Sequence, residues 1–259
     1  TVTYKAEVNG SISGTASQTV DWGGSTSQVT AVANLGYHFT KWSDDKATAA
    51  RTDTGVKSDA EYTAKFQANT NTAYTVEFYY QNESTGKFEK DATLTATRNN
   101  GTTDQAISIT DVDKNVADGK DSHYVLDANR NSAWTQIVRA DGSTILKVYF
   151  KLQYTVTYKA EVNGSISGVT SQRVDWGGST SQVTAVADQG YHFTKWDDET
   201  TTTAARTDAD VKSDATYTAQ FEADTDTQYT VEYYYADYTG AYPDEPTKVD
   251  ATRVGTTDT

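Results

Sequence analysis

The sequence contains no cysteine and no methionine, and two of its 259 residues are proline. The absence of cysteine excludes disulfide bonds and thiolate metal sites. No apolar run approaches the length of a membrane-spanning helix, and we expect no membrane insertion within this chain. Residue 1 is a threonine rather than an initiator methionine, which indicates an internal part of a longer protein.

Basic residues are also scarce, since 22 Lys and Arg stand against 36 Asp and Glu and give a net charge of −14. This charge repels the phosphates of nucleic acid and is typical of a soluble monomer that does not self-associate. Thr, Ser, Asp, Tyr and Val are abundant instead, and these residues favour strands and turns. Because aliphatic residues are few, the core must depend on tyrosine and tryptophan.

Two long stretches of the sequence occur twice. The segment TVTYKAEVNGSISG (1–14) returns at 155–168, and GYHFTKW (36–42) returns unchanged at 190–196. Polar stretches divide each period of about 154 residues into a short and a long repeat. Short modules are predicted at 1–70 and 154–225, and long modules at 73–153 and 228–259. The last long repeat is incomplete, because nothing in it corresponds to residues 105–153.

The spacing of apolar residues predicts β-structure in both repeats. Apolar residues occupy every second position from Val2 to Val8, and Asn9-Gly10 is a strong signal for a hairpin turn. The long repeat begins with YTVEFYY and ends with two strand-like runs around Asp141-Gly142. We therefore predict a mainly β fold in which small all-β modules follow one another as an elongated array.

Three motifs characterise the short repeat: an opening YTVTY (154–158), a central GYxFxxW (36–42) and a closing YTAKF (62–66). With these motifs the short repeat resembles the divergent internalin B-type repeats of the Listeria–Bacteroides repeat group. Both copies match over their whole length, although DWGG (21–24) departs from the commonest sequence of these repeats at that position.

The long repeat has another set of motifs, which are YTVEYYY (229–235), ATRxGTT (251–257), ITDVDK (109–114) and DGSTILKVYFK (141–151). It resembles the mucin-binding-protein-like repeats of Gram-positive surface proteins. The first copy lacks the proline loop that the second has as YPDEPTKVDATR (242–253). The resemblance implies β-grasp-like modules in an extracellular protein anchored to the cell wall. It assigns no ligand, because such repeats serve both as adhesive domains and as stalks.

The repeated GYHFTKW motif is open to two interpretations, a packed core and a ligand-binding box. A module of about 70 residues must bury most of its large apolar side chains, and burying one phenylalanine contributes about 1.5–3 kcal/mol. We therefore assign the aromatic residues of both motifs to the core: Tyr37, Phe39, Trp42, Tyr191, Phe193 and Trp196. On a regular strand Trp42 falls on the face opposite Tyr37 and Phe39, unless a bulge intervenes.

Other aromatic residues are better candidates for a ligand surface. Trp22 and Trp176 adjoin Gly-Gly turns, while Tyr234 and Tyr238 belong to the outward face of YTVEYYYADY. If the chain binds a ligand, these four side chains are expected to contact mucin glycans or a host surface protein.

The acidic segment ITDVDKNVADGKD (109–121) is a candidate calcium site. Its hard oxygen ligands are Asp111, Asp113, Asn115, Asp118 and Asp121, at spacings that begin like an EF-hand loop. Val116 stands where such a loop requires glycine, and no glutamate follows at the twelfth position. A plain acidic loop explains the segment as well, so calcium is the one cofactor to test and no other is predicted.

No catalytic machinery is recognisable in the sequence. The three histidines do not cluster with the spacing of metal ligands, and no nucleophile elbow or oxyanion loop accompanies any serine. The acidic residues that follow Trp42 and Trp196 differ in type between the copies, which argues against a catalytic pair of carboxylates. We predict a protein without enzymatic activity.

Lys147 is a candidate for an intramolecular cross-link, which Gram-positive surface fibres use where cysteine is absent. It lies between Leu146 and Val148 on an apolar strand. The alternative is a lysine whose stem lies along the sheet while its amine reaches water. A mass deficit of one ammonia or one water would distinguish the two.

Surface charge differs between the two periods, whereas turns and core motifs stay the same. Residues 1–153 have a net charge of −3 and residues 154–259 a net charge of −11. A ligand site present in both copies would be expected to keep its polar groups. We therefore predict a stalk that projects a distal functional domain, with direct adhesion to mucin glycans or a host protein as the alternative.

Overall fold

The computed structural model describes residues 1–115, 120–130, 134–199 and 202–258. Strands make up 54% of the structure and helix 2%, which confirms the prediction of tandem, mainly β modules. None of the helices within these ranges is long and apolar enough to span a membrane.

The chain divides into two compact units. Unit 1 comprises Thr1–Asn82 and Lys87–Lys151, and unit 2 comprises Glu83–Gly86 and Leu152–Thr259. Unit 1 thus contains the first short repeat and most of the first long repeat, and unit 2 contains the second short repeat with the segment that follows it.

The short repeat of unit 1 consists of β1 (Val2–Ala6), β2 (Gly10–Ser13), β3 (Ser17–Gln18), β4 (Gly24–Ser25), β5 (Val29–Ala33), β6 (Tyr37–Trp42), β7 (Ala50–Arg51), β8 (Thr54–Val56) and β9 (Ala60–Ala68). Its main sheet has the order β3-β1-β9-β6, a second sheet has the order β2-β5-β7, and β4 pairs with β8. Asn9 adopts a φ of 73° in the turn between β1 and β2, but these two strands lie in different sheets and do not pair. The prediction of a hairpin at Asn9-Gly10 is therefore wrong, although the turn is present. The first and last strands, β1 and β9, are neighbours and run parallel.

The core of this short repeat is built around Trp42, which is inaccessible to solvent. The rings of Tyr4 and Phe39 each lie 5.9 Å from the Trp42 ring. Val2, Val29, Ala31 and Ala64 complete the buried cluster. An irregularity in the register between Phe39 and Lys41 shifts the alternation of β6 by one residue. This bulge allows Phe39 and Trp42 to pack against the same core, which strict alternation would prevent.

The long repeat of unit 1 consists of β10 (Thr72–Gln81), β11 (Phe88–Gly101), β12 (Ala106–Ser108), α1 (Asp111–Lys114), β13 (Tyr124–Leu126), β14 (Thr135–Ile137) and the first part of β15 (Ile145–Ala160). The strand order is β11-β10-β15, β13 also pairs with β15, and β12 pairs with β14. β10 and β15 run parallel, with Thr75 opposite Ile145 and Tyr80 opposite Phe150. Alternate residues of these two strands form the core: Tyr74, Val76, Phe78, Tyr80, Leu146, Val148 and Phe150.

Unit 2 repeats the first architecture with the later part of β15 in the place of β1. Its further strands are β16 (Gly164–Ser167), β17 (Ser171–Asp175), β18 (Val183–Ala187), β19 (Tyr191–Trp196), β20 (Ala205–Arg206), β21 (Ala215–Ala223), β22 (Thr227–Tyr233) and β23 (Lys248–Gly255). β15 runs parallel to β21, with Val156 opposite Ala215. Trp196 is buried like Trp42, and the Phe193 ring lies 6.0 Å from it.

Candidate functional site

In each unit the GYH segment of the short repeat contacts the GTTD segment of the long repeat. We call this contact, between residues 36–38 and 101–104 in unit 1 and between residues 190–192 and 255–258 in unit 2, the joint. The Tyr37 hydroxyl donates a hydrogen bond to the Asp104 carboxylate, and the Thr103 amide donates to the Asn69 carbonyl at 3.0 Å. In unit 2, Tyr191 donates to Asp258 in the same way. The same sequence positions therefore form the joint twice.

Glycine is required at the first position of the joint motif. Gly36 and Gly190 have φ values of 81° and 83°. Residues with a Cβ atom rarely adopt such positive φ angles, whereas glycine does so readily. A Cβ on Gly36 would also lie 2.6 Å from the Ala140 Cβ and 2.9 Å from the Thr103 side chain, and one on Gly190 would lie 2.8 Å from the Thr257 hydroxyl. The close approach of the long repeat thus explains this glycine, a reason that the motif alone does not reveal.

Side-chain hydrogen bonds reinforce both joints. The hydroxyls of Thr72 and Thr103 lie 2.7 Å apart, and Thr103 is fully buried. The corresponding pair in unit 2 is Thr227 and Thr257, at 2.6 Å. The imidazole Nδ1 of His38 lies 2.9 Å from the Asn69 side-chain oxygen. Burial of two hydroxyls is tolerated here because each satisfies the other.

A buried arginine stabilises each short repeat, and sequence reasoning did not identify it. The Arg51 guanidinium contacts Asp44 through two hydrogen bonds of 2.7 and 2.9 Å and Asp53 through two of 2.7 and 2.8 Å. It also lies 5.4 Å from the ring of Trp42. Arg206 makes the same contacts with Asp198 and Asp208 in unit 2. The available signal was the tetrapeptide ARTD, which occurs at 50–53 and 205–208.

The contacts between Arg51, Asp44 and Asp53 favour the charged state of all three side chains. Burial lowers the pKa of Arg51, but the hydrogen bonds with Asp53 and Asp44 outweigh it and leave the pKa raised. Burial raises the pKa of Asp53, yet the hydrogen bonds from Arg51 and Tyr4 hold it below its usual value. The cluster is therefore a compensated structural ion pair rather than a proton-transfer site.

Of the four predicted ligand contacts, Trp22 is the one in unit 1, and 79% of its surface is accessible to solvent. It borders a small cleft of about 170 Å³ that is lined mainly by polar residues: Thr1, Val20, Val56, Lys57, Ser58 and Asp59. Contact with a ligand through Trp22 stays a prediction.

Trp176, the equivalent residue in unit 2, has a different environment. It is half-buried, and its indole N–H donates a hydrogen bond to the Glu83 carbonyl at 2.7 Å. A Cβ on Gly86 would lie 2.3 Å from the indole ring, and the Lys212 ammonium lies 4.9 Å from the ring centroid. The polar edge of Trp176 is thus occupied by the chain itself, so the two tryptophans are not equivalent as candidate binding residues.

Tyr234 and Tyr238 both lie in unit 2, in the segment that follows β22. Tyr238 is fully exposed, and Tyr234 is exposed while its hydroxyl donates to Glu232 at 2.8 Å. Exposed Tyr235 and Tyr242 lie in the same segment. The structure therefore places an aromatic surface here, and its role in ligand binding stays a prediction.

The acidic residues of the candidate calcium segment are engaged by protein groups. Asp113 is buried and accepts hydrogen bonds from Arg98 and from the Thr110 amide at the start of α1. Asp111 pairs with Lys114 at 2.8 Å, Asn115 ends α1, and Asp121 accepts from the His123 amide at 3.0 Å. Asp118 lies outside the described residues. Across the described ranges, no group of three His, Cys, Asp or Glu side chains is arranged to hold a metal ion.

Lys147, the candidate for a cross-link, is exposed on β15. Its ammonium lies 5.5 Å from the centroid of the Tyr79 ring, and it stands opposite Glu77 in the parallel ladder. The cross-link stays a prediction, and the mass of the intact chain tests it.

Comparison with known proteins identifies the short repeats. The sequence model of the divergent InlB B-repeat domain matches residues 1–70 and 154–225, which together exceed half of the chain. No curated protein matches the sequence. Among solved structures, the crystal structure of Mub-RV matches with 14% sequence identity, 56% coverage of this chain, 97% coverage of that chain and a TM-score of 0.17.

Proposed function

Because the chain belongs to the divergent InlB B-repeat family, we propose that it is a non-catalytic repeat region of a cell-wall-anchored bacterial surface protein. Its role is to bear load and to project a distal functional domain from the cell surface. The long repeats are proposed to be mucin-binding-protein-like, β-grasp-like modules that alternate with the B-repeats.

The observation that carries this proposal is the pairing of the first and last strands of the complete repeats. β1 pairs with β9, β10 with β15, and β15 with β21, each time in parallel. In a parallel pair, the start of one strand and the end of the other lie at opposite ends of the ladder. A force applied to the two ends of the repeat therefore shears the strands, and the hydrogen bonds of the ladder share the load. An antiparallel arrangement would open one bond at a time.

The joints add support for a load-bearing role. On either side of the connection between β9 and β10, Asn69 and Thr72 hydrogen-bond the same residue, Thr103. The connection is therefore held at both ends instead of acting as a free linker. Contacts of this kind let a short repeat and the following long repeat respond to force together.

Force spectroscopy tests the proposal, and the absence of cysteine makes every engineered thiol a unique handle. Handles at Thr1→Cys and Gln67→Cys pull β1 and β9 in shear, because these residues lie at opposite ends of the pair. Handles at Thr1→Cys and Ser58→Cys lie at the same end and peel the strands apart. We expect a markedly higher rupture force for the first pair of handles, and equal forces would contradict a load-bearing design.

A second candidate function is direct adhesion to mucin glycans or a host surface protein. The specific observation in its favour is the exposure of Tyr235, Tyr238 and Tyr242 in one segment of unit 2 and of Trp22 in unit 1. A glycan array probed with the intact chain tests it. Saturable binding that is abolished by Tyr238→Ala or Trp22→Ala would support adhesion, and the absence of binding would exclude the glycan form of it.

A further inference from the structure

Each joint contains one histidine, and the two histidines make the same contacts with different chemical groups. In unit 1, His38 stands opposite Gln67 in the antiparallel pairing of β6 with β9. Its Nδ1 atom lies 2.9 Å from the side-chain oxygen of Asn69. Both of these neighbours are amides, which carry no charge at any physiological pH.

In unit 2 the same two positions carry carboxylates. His192 stands opposite Glu222 in the pairing of β19 with β21, and its Nδ1 atom lies 2.8 Å from Oδ1 of Asp224. Glutamate in place of glutamine, and aspartate in place of asparagine, changes the charge of a side chain with almost no change in its shape. The two units therefore contain a matched pair of histidines, one beside two amides and one beside two carboxylates.

The other charged groups of the two joints either act in the same direction or are shared. Three further positions are more negative in unit 2: Lys65 corresponds to Gln220, Asn34 to Asp188, and Asn71 to Asp226. The groups that both units have are the pairs Lys41 and Lys195, Asp45 and Glu199, Tyr37 and Tyr191, Asp104 and Asp258, and Glu7 and Glu161. A different response of the two histidines to pH must therefore come from the positions that differ.

Both histidines are open to solvent. His38 is exposed although the long repeat beside it has all its strands from β10 to β15. A long repeat therefore does not cover this position of the short repeat. His192 is exposed in the same way, so protons reach both imidazoles equally.

Asp224 also carries the backbone contacts of the joint. Its amide donates to the Gly190 carbonyl at 2.8 Å, and its carbonyl accepts from the Thr257 amide at 2.9 Å. In unit 1, Asn69 makes the same two backbone contacts at 2.8 and 3.0 Å. A side-chain contact that holds Asp224 against β19 therefore also holds the acceptor of the Thr257 amide in place.

We propose that acid strengthens the joint of unit 2 and leaves the joint of unit 1 unchanged. An imidazole gains a proton as the pH falls through about 6.5, whereas carboxylates keep their charge down to about pH 4. Between these limits, protonated His192 faces Asp224 and Glu222, and its hydrogen bond to Asp224 joins two opposite charges. The stabilisation is present in this acidic range and is lost as the pH rises toward neutrality. His38 gains no such partner.

Hydrogen–deuterium exchange of the intact chain, resolved by NMR at about pH 7.5 and about pH 5.5, tests the proposal. Each rate is divided by that of an unstructured peptide at the same pH, which removes the intrinsic effect of pH on exchange. We expect the protection of the Asp224 and Thr257 amides to rise about two- to fivefold in acid, the range of an exposed ion pair. Protection of the Asn69 and Thr103 amides should not change. About 1 M NaCl should reduce the rise, because salt screens exposed charges.

Isosteric substitutions in unit 2 remove the proposed cause without changing its shape. Asp224→Asn combined with Glu222→Gln gives the histidine of unit 2 the neighbours that it has in unit 1. The acid response of the Thr257 amide should then disappear, while the backbone contacts of residue 224 are retained. His192→Gln should abolish the response as well.

The reverse substitutions in unit 1 provide an independent test. Gln67→Glu combined with Asn69→Asp should confer an acid response on the amide of Thr103, a residue that is fully buried. Failure of unit 1 to acquire the response overturns the proposal. The absence of an acid response at Thr257, or an equal response at Thr103 in the unsubstituted chain, also overturns it. A response at Thr257 that survives the two amide substitutions would place the titrating group elsewhere and has the same consequence.

Discussion

The guanidinium of Arg51 lies over the ring of Tyr62, with its carbon 3.3 Å from the ring centroid. Arg206 lies over Tyr217 in the same way, at 3.4 Å. A flat cation on an aromatic face is stabilised by the ring quadrupole, and here two carboxylates hold it at its edge. The arginine therefore joins the aromatic core of the short repeat to its acidic turn.

Removal of Arg51 should strongly destabilise unit 1. Arg51→Ala leaves Asp44 and Asp53 without their cation, and breaking a buried ion pair on one side costs about 3–5 kcal/mol. Arg51→Lys keeps the charge but cannot form two bidentate contacts and the ring stack, so its loss should be intermediate. Urea unfolding measures both. The exposed pair of Lys5 and Glu61 is the control, and Lys5→Ala should cost less than about 1 kcal/mol.

Two tryptophans of the same short repeat should respond very differently to truncation. Trp42→Ala removes a side chain that is inaccessible to solvent, and such a loss costs about 3–5 kcal/mol. Trp22→Ala removes an exposed side chain and should change the free energy of unfolding by less than about 0.5 kcal/mol. Thermal denaturation followed by circular dichroism compares them. A similar loss in both variants would contradict the assignment of Trp42 to the core.

A methyl group at Gly36 should open the joint of unit 1. Gly36→Ala combines an unfavourable φ with contacts to Ala140 and Thr103 that are too short to keep. Gly55→Ala is the matched control, because Gly55 also has a positive φ of 67° but open space around it. Both variants should lose about 1–2 kcal/mol from backbone strain. Faster exchange of the Thr103 amide is expected in Gly36→Ala alone.

Stability should fall in alkaline solution. Burial and the hydrogen bond to Asp208 raise the pKa of Tyr158 to about 12, and burial raises the pKa of Tyr80 to about 12. Because the unfolded value is 10, the folded state retains these protons more strongly. Their contribution is therefore complete below pH 10 and is lost as the pH rises toward 12.

Melting temperatures recorded across this range measure the effect. Tyr158→Phe should give unit 2 a smaller alkaline decline than the unsubstituted chain, because one proton that the folded state retains is gone. An unchanged decline would show that Tyr158 does not contribute. Tyr80 lies in unit 1 and provides the comparison within the same molecule.

The strands of the short repeat could be predicted from the sequence because their signals are local. The alternation that starts at Val2 depends on neighbouring residues, and the structure has β1 at Val2–Ala6. The alternation does not extend to Val8, which lies beyond β1 and is exposed, and the turn at Asn9-Gly10 joins strands of two different sheets. On a regular strand Trp42 would lie on the face opposite Phe39, so the spacing of the motif allows both side chains to enter one core only if a bulge lies between them. The structure has this bulge between Phe39 and Lys41.

The joint and the arginine cluster could not be predicted in this way, because their partners are distant in sequence. Tyr37 was assigned to the core by size, yet it is half-buried and its hydroxyl reaches a carboxylate 67 residues later. Arg51 looks like a solvated surface residue until the fold brings Tyr62 over it. Long-range placement of polar groups is the part of this structure that composition and periodicity leave undetermined.

The joint also bears on how this gene segment could have been copied. Gly36 and Tyr37 are encoded in the short repeat, but the residues that receive them, Thr103 and Asp104, are encoded in the long one. A duplication that copied the short repeat alone would produce a second Gly-Tyr pair without the threonine and aspartate that it contacts in the long repeat. The heritable unit that keeps the contact intact is the short repeat together with the long repeat that follows, and the period of about 154 residues is the length of that unit.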